Sequence, residues 1–216
     1  MERRLTRLVL GAGLAAAATA GPATAGIGQG SEAVRLRTAS RCVLRQHWEE
    51  SRQVALALPG SSDEAEAFAK LDSTWRRCFR HQKLPDTPEM RALFAGKVAE
   101  RIYVSTVSWF RRGSKRVHFH TSFPAPVAVA TTRPAGEVSP ELRAIECAAA
   151  AVPNDADRLL RSDPGSKAEA AALAAVSTAL GGCLDRGQAV RLRPLRLRAE
   201  TARAFYRLMG GIRYRF

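Results

Sequence analysis

Cys42 to Cys78 reads CVLRQHWEESRQVALALPGSSDEAEAFAKLDSTWRRC, and Cys147 to Cys183 reads CAAAAVPNDADRLLRSDPGSKAEAAALAAVSTALGGC. Laid over one another at an offset of 105 without a gap, the two stretches match at both cysteines, at Pro59-Gly60-Ser61 against Pro164-Gly165-Ser166, and at Glu64 against Glu169. Alanine matches are cheap in this composition, but these are not, because each falls where the backbone has a job. Pro-Gly ends a helix, Ser caps the next one, and Glu three residues on completes a capping box. Each stretch therefore reads as a helical hairpin, and the chain as a duplication. In the second arms, Phe68, Leu71, Trp75 and Cys78, and likewise Leu173, Val176, Leu180 and Cys183, recur at helical spacing and mark one apolar face ending in a cysteine.

The cysteines of each unit lie equally far from their turn glycine, Gly60 or Gly165, so folding the hairpin brings them together. That symmetry favours Cys42 with Cys78 and Cys147 with Cys183 over the two other connectivities. Zinc is the weaker reading, since no two cysteines form a close pair. Pro153 lies inside the first arm of the second unit and is expected to split it into two helical pieces. Beyond each hairpin a third amphipathic helix is expected, over Pro88–Tyr103 and over Leu197–Leu208, with Thr87 a good start signal for the first. The expected fold is all-α, a pseudo-twofold duplication of a disulfide-closed hairpin plus third helix. Its parts are a first repeat over 26–110, a basic and Pro/Ala/Thr-rich linker over 111–138, and a second repeat with an Arg-rich tail over 139–216. Val117 to Thr121 carries the only strand-like alternation.

Residues 1–25 read as a signal peptide: MERRLTR is basic, Leu8 to Ala20 is apolar but too short to span a bilayer, and Ala23-Thr24-Ala25 offers a cleavage site. A periplasmic or secreted location follows, with no transmembrane segment in the mature chain, and four cysteines there read as disulfides. The Cys, Pro-Gly-Ser, Cys unit used twice after a signal peptide resembles a family of uncharacterised secreted proteins from alphaproteobacteria. The resemblance covers most of the mature chain and implies the compartment and the disulfides, with no activity attached. The second copy has Pro153 and Leu180 where the first has Trp48 and Trp75, so a pocket built on those tryptophans belongs to one half only.

No catalytic motif is present: GxSxG, SxxK and HExxH are absent. His118 and His120 share one strand face, but two ligands do not make a metal site, and no metal or cofactor is expected. Glu49-Glu50 and Asp63-Glu64 read as acids at helix starts. The strongest feature is charge. The formal net is +14, and Arg186, Arg191, Arg193, Arg196, Arg198, Arg203, Arg207, Arg213 and Arg215 face only Glu200 between residues 186 and 216. Arg191, Arg193, Arg196, Arg198, Arg203 and Arg207 are the candidate anion-binding residues, and Tyr206, Tyr214 and Phe216 are interleaved with them. Residues 211–216 look like the terminal signal of an outer-membrane barrel, without barrel strands elsewhere. The expected function is noncatalytic: binding an acidic envelope component or periplasmic protein through an Arg-rich face, nucleic acid being the least expected partner of an exported chain. The alternative is a periplasmic enzyme with a site between the two repeats, in which His118 or Glu50 would matter.

Overall fold

The computed structural model describes residues 27–113, 138–185 and 187–208. The signal-peptide stretch, Val117–Thr121 with His118 and His120, and residues 211–216 lie outside them.

The described residues form eight helices and no strand: α1 (Ile27–Gln46), α2 (Trp48–Leu56), α3 (Ser62–His81), α4 (Pro88–Gly113), α5 (Pro140–Ala151), α6 (Pro153–Arg161), α7 (Lys167–Cys183) and α8 (Pro194–Leu208). Helix α4 runs three residues into the stretch read as a linker. At an offset of 105, the boundaries of α2 fall on those of α6, and the C-terminal end of α1 on that of α5. Local geometry repeats as well. Gly60 and Gly165 turn the hairpins at φ +78° and +83°, a region where a side chain is strained. Ser61 accepts from the Glu64 amide at 3.2 Å and Ser166 from the Glu169 amide at 3.1 Å. In return Glu64 accepts from Gly60 N–H and Glu169 from Gly165 N–H, one residue before the N-cap N–H that a capping box uses, while Ser61 and Ser166 N–H donate to the Leu58 and Asp163 carbonyls.

One expectation needs correction. The first arm is broken in the first unit as well as in the second, so the first unit has four helices where three were expected. Pro153 starts α6 as expected, but α1 also stops, at His47, without a proline. His47 and Val152 occupy aligned positions and share one backbone conformation, φ −137° and ψ 68° against φ −127° and ψ 61°. At the first break the His47 Nε2 lies 2.9 Å from Thr74 Oγ1 on α3, and its Nδ1 lies 3.9 Å from Glu50.

Disulfides Cys42–Cys78 and Cys147–Cys183 close the hairpins, with Cα–Cα distances of 5.9 and 6.0 Å. Such bonds persist in oxidising surroundings rather than in a reduced cytosol. No helix among the described residues is long and apolar enough to cross a membrane. The expected α3 stripe is buried at Phe68, Leu71, Trp75 and Cys78; the α7 stripe is buried at Val176 and Leu180 and half-buried at Leu173 and Cys183. Trp75 stacks on Phe79 and meets Phe94 of α4 edge-on, so the first unit has an aromatic centre where the second packs alanines.

Helices α4 and α8 make the most extensive contact between the units. They approach closely enough that a Cβ on Gly96 would overlap the backbone and Cβ of Ala199. Pro88 starts α4 behind Thr87, whose Oγ1 accepts from the Met90 amide at 3.2 Å, and Pro194 starts α8, three residues before its expected beginning.

Candidate anion-binding cleft

The six arginines expected to form a charged face do not form one. Arg198 on α8 has a side chain only 3 % exposed, because α8 is the helix on which both units close. Its Nε and Nη2 each lie 3.1 Å from a Glu100 oxygen, and its Nη1 lies 2.6 Å from Glu169. Nη2 also reaches the carbonyls of Ser162 at 2.9 Å and Leu160 at 3.2 Å. Glu100 and Glu169 hold the guanidinium charged against the cost of its burial.

Arg203, fully buried, repeats the arrangement on the other unit. Its Nη2 donates to the carbonyls of Ala57 at 2.7 Å and Val54 at 3.2 Å and pairs with Glu64 at 2.8 Å. Ala57 aligns with Ser162, and Glu64 with Glu169. Each hairpin turn therefore receives one arginine from the same helix, and each glutamate that accepts from a turn glycine does a second job. Arg207 pairs with Glu146 of α5 at 2.9 Å, with both side chains buried. Arg196 pairs with Glu200 at 2.6 Å and Arg193 with Glu89. Of the six, Arg191 is the one that is exposed with no acid partner among the described residues. The segment reads as nearly unopposed in sequence because, Glu200 apart, its carboxylates come from α3, α4, α5 and α7.

The open cationic surface lies elsewhere. Arg37, Arg41 and Arg45 recur every fourth residue along α1 and share one face. Opposite them, Lys97, Glu100, Arg101 and Val104 share one face of α4, and residues 160–163 at the end of α6 close one end of the gap. The result is a cleft of about 230 Å³ between the two units. Leu44, Val104 and Leu160 form its apolar wall, with Arg37, Arg41 and Arg101 around it. Among the described residues, no carboxylate lies within salt-bridge distance of Arg37, Arg41, Arg45 or Arg101. Arg101 shows the consequence, since partial burial together with the charges of Arg41, Arg37 and Arg45 lowers its pKa.

Beneath the mouth lies a buried pair, Lys97 Nζ to Glu100 at 2.5 Å. Burial lowers the Lys97 pKa, and the Arg198 and Arg37 charges add to the effect. Burial alone would raise Glu100, but Lys97 and Arg198 overcome it and hold the carboxyl below its ordinary range. Asp163 also lines the cleft, and Arg161 is bound by Asp157, which accepts from the Tyr103 hydroxyl at 2.6 Å. The cleft thus has excess positive charge, desolvated walls and donors with no acceptor of their own. Among the described residues, no group of three His, Cys, Asp or Glu side chains is placed to hold a metal ion.

No protein-family model, curated protein or solved structure matches this chain.

Proposed function

We propose that this is an exported, periplasmic or secreted protein that acts without catalysis by binding an anionic envelope component, and that the α1–α4 cleft is where it binds. The observation that carries the reading is the set of four guanidiniums at Arg37, Arg41, Arg45 and Arg101, none of which has an acid partner among the described residues. Like charges gathered without counter-charge cost stability, and a bound anion offsets that cost. The two disulfides support an oxidising compartment. The basic and apolar beginning of the sequence supports export.

The test uses inorganic polyphosphate as a soluble polyanion, titrated into the oxidised protein at low and at 0.3 M salt. We expect salt-sensitive binding that weakens at least about tenfold in the Arg41→Glu/Arg101→Glu variant, since like charge at the contact repels the ligand. Arg191→Glu, exposed and outside the cleft, is expected to change the affinity by no more than about threefold. Equal losses in the two variants, or binding indifferent to both, would rule out the cleft as the anion site.

A further inference from the structure

The second unit shows what the first leaves open. Carried through the offset of 105, Arg37, Arg41 and Arg45 fall on Leu142, Glu146 and Ala150, all three of them buried. Gly96 and Ala199 meet where α4 crosses α8, as counterparts do beside a twofold axis. Tyr103 and Tyr206 have the same separation, and in that register Val104 falls on Arg207. In the second unit these two positions form the buried Glu146–Arg207 pair that joins α5 to α8. In the first unit they hold Arg41 and Val104, which cannot pair, and both line the cleft. The place filled by a carboxylate and a guanidinium in one unit is therefore an open gap with a cation on one wall and an apolar side chain on the other.

Resting on the reading of the cleft as an anion site, we infer that its ligand is a small organic phosphate, a phosphomonoester head on a short aliphatic body. Size argues for a small ligand, since about 230 Å³ is below the roughly 300–1,000 Å³ of sites that enclose drug-sized molecules. Charge argues for phosphate: Arg37, Arg41 and Arg101 surround the gap, and a dianion with three terminal oxygens accepts from several planar guanidinium forks, where a carboxylate has two oxygens to offer. Leu44, Val104 and Leu160 account for the aliphatic part, because a free inorganic ion leaves that wall in water. The same chemistry occurs in a soluble phosphate ester and in the headgroup of a phosphatidic-acid-like lipid.

The experiment titrates the oxidised protein with n-hexyl phosphate, with inorganic phosphate, and with phosphatidylcholine vesicles that contain or lack phosphatidic acid. Hexyl phosphate is expected to bind at least about tenfold more tightly than inorganic phosphate. Vesicle binding that requires phosphatidic acid and is displaced by hexyl phosphate identifies the lipid as the source, and hexyl phosphate binding without vesicle binding identifies a soluble ester. Arg41→Glu/Val104→Arg rebuilds in the first unit the pair of the second, and is expected to remove hexyl phosphate binding while leaving the thermal midpoint unchanged or higher. Arg101→Glu, at an exposed position, is the second variant and is expected to weaken binding at least about tenfold. Hexyl phosphate binding no tighter than inorganic phosphate, or unchanged in both variants, overturns the inference. Polyphosphate binding that survives without any hexyl phosphate binding leaves the anion cleft standing and removes only the small-ligand assignment, whereas loss of both removes the two together.

Discussion

Replacing Arg198 with methionine is expected to destabilise the protein by about 3–5 kcal/mol, the range for removing one partner from a buried ion pair. Methionine fills much of the volume, so the loss comes from what the guanidinium was holding. Glu100 keeps only Lys97, Glu169 keeps its bonds to Gly165 N–H and Ser166, and the carbonyls of Leu160 and Ser162 lose a buried donor. In a chain of this size the thermal midpoint falls by roughly 10 °C. Arg198→Lys recovers little, because one ammonium cannot reach two carboxylates and two carbonyls on different sides. Adding Glu100→Gln to Arg198→Met is expected to restore part of the stability, since it removes the charge the first change stranded. Urea unfolding of the single and double variants measures the coupling between the two residues. Additive losses would mean that the two do not act as a pair.

Removing either disulfide as a Cys→Ala pair is expected to cost about 3–4 kcal/mol, and the two losses should agree within about 1 kcal/mol. Both bridges close a loop with a sequence separation of 36, so the unfolded chain gains the same freedom in each case. The denaturant midpoints of Cys42→Ala/Cys78→Ala and Cys147→Ala/Cys183→Ala provide the check. A loss confined to one pair would show that the bridges carry unequal loads in the folded state, against the account of two matched hairpins.

Much of this architecture is legible in the sequence because its signals are local. Pro-Gly-Ser with Glu three residues on specifies a turn and a serine cap through bonds between near neighbours, and both serine caps are present in the structure, with each glutamate accepting from the turn glycine instead of the N-cap N–H. Equal spacing from the turn glycines anticipates the disulfide pairing. The break at His47 is not legible, because no proline or glycine announces it; a contact with Thr74, 27 residues away, accompanies it. The charges mislead for a similar reason. Arg198 lies 98 residues from Glu100 and 29 from Glu169, and Arg207 lies 61 from Glu146. A window on the sequence therefore shows Arg198, Arg203 and Arg207 without their counter-charges. The stripe at Arg37, Arg41 and Arg45 is visible as a four-residue period, but its meaning depends on Arg101, brought opposite it by α4 of the same unit, and on residues 160–163, brought there by the second unit.

Arg198, Arg203 and Arg207 of α8 are interior bolts, whereas Arg37, Arg41 and Arg45 of α1 stand without an acid partner among the described residues. Phenylglyoxal labelling of the native, oxidised protein, with each modified arginine located by mass spectrometry, tests this directly. Rapid modification is predicted at Arg41 and Arg45, which are exposed, with Arg198, Arg203 and Arg207 protected until the protein is unfolded. Modification of Arg198 and Arg203 in the native protein at the rate of Arg41 would contradict the account.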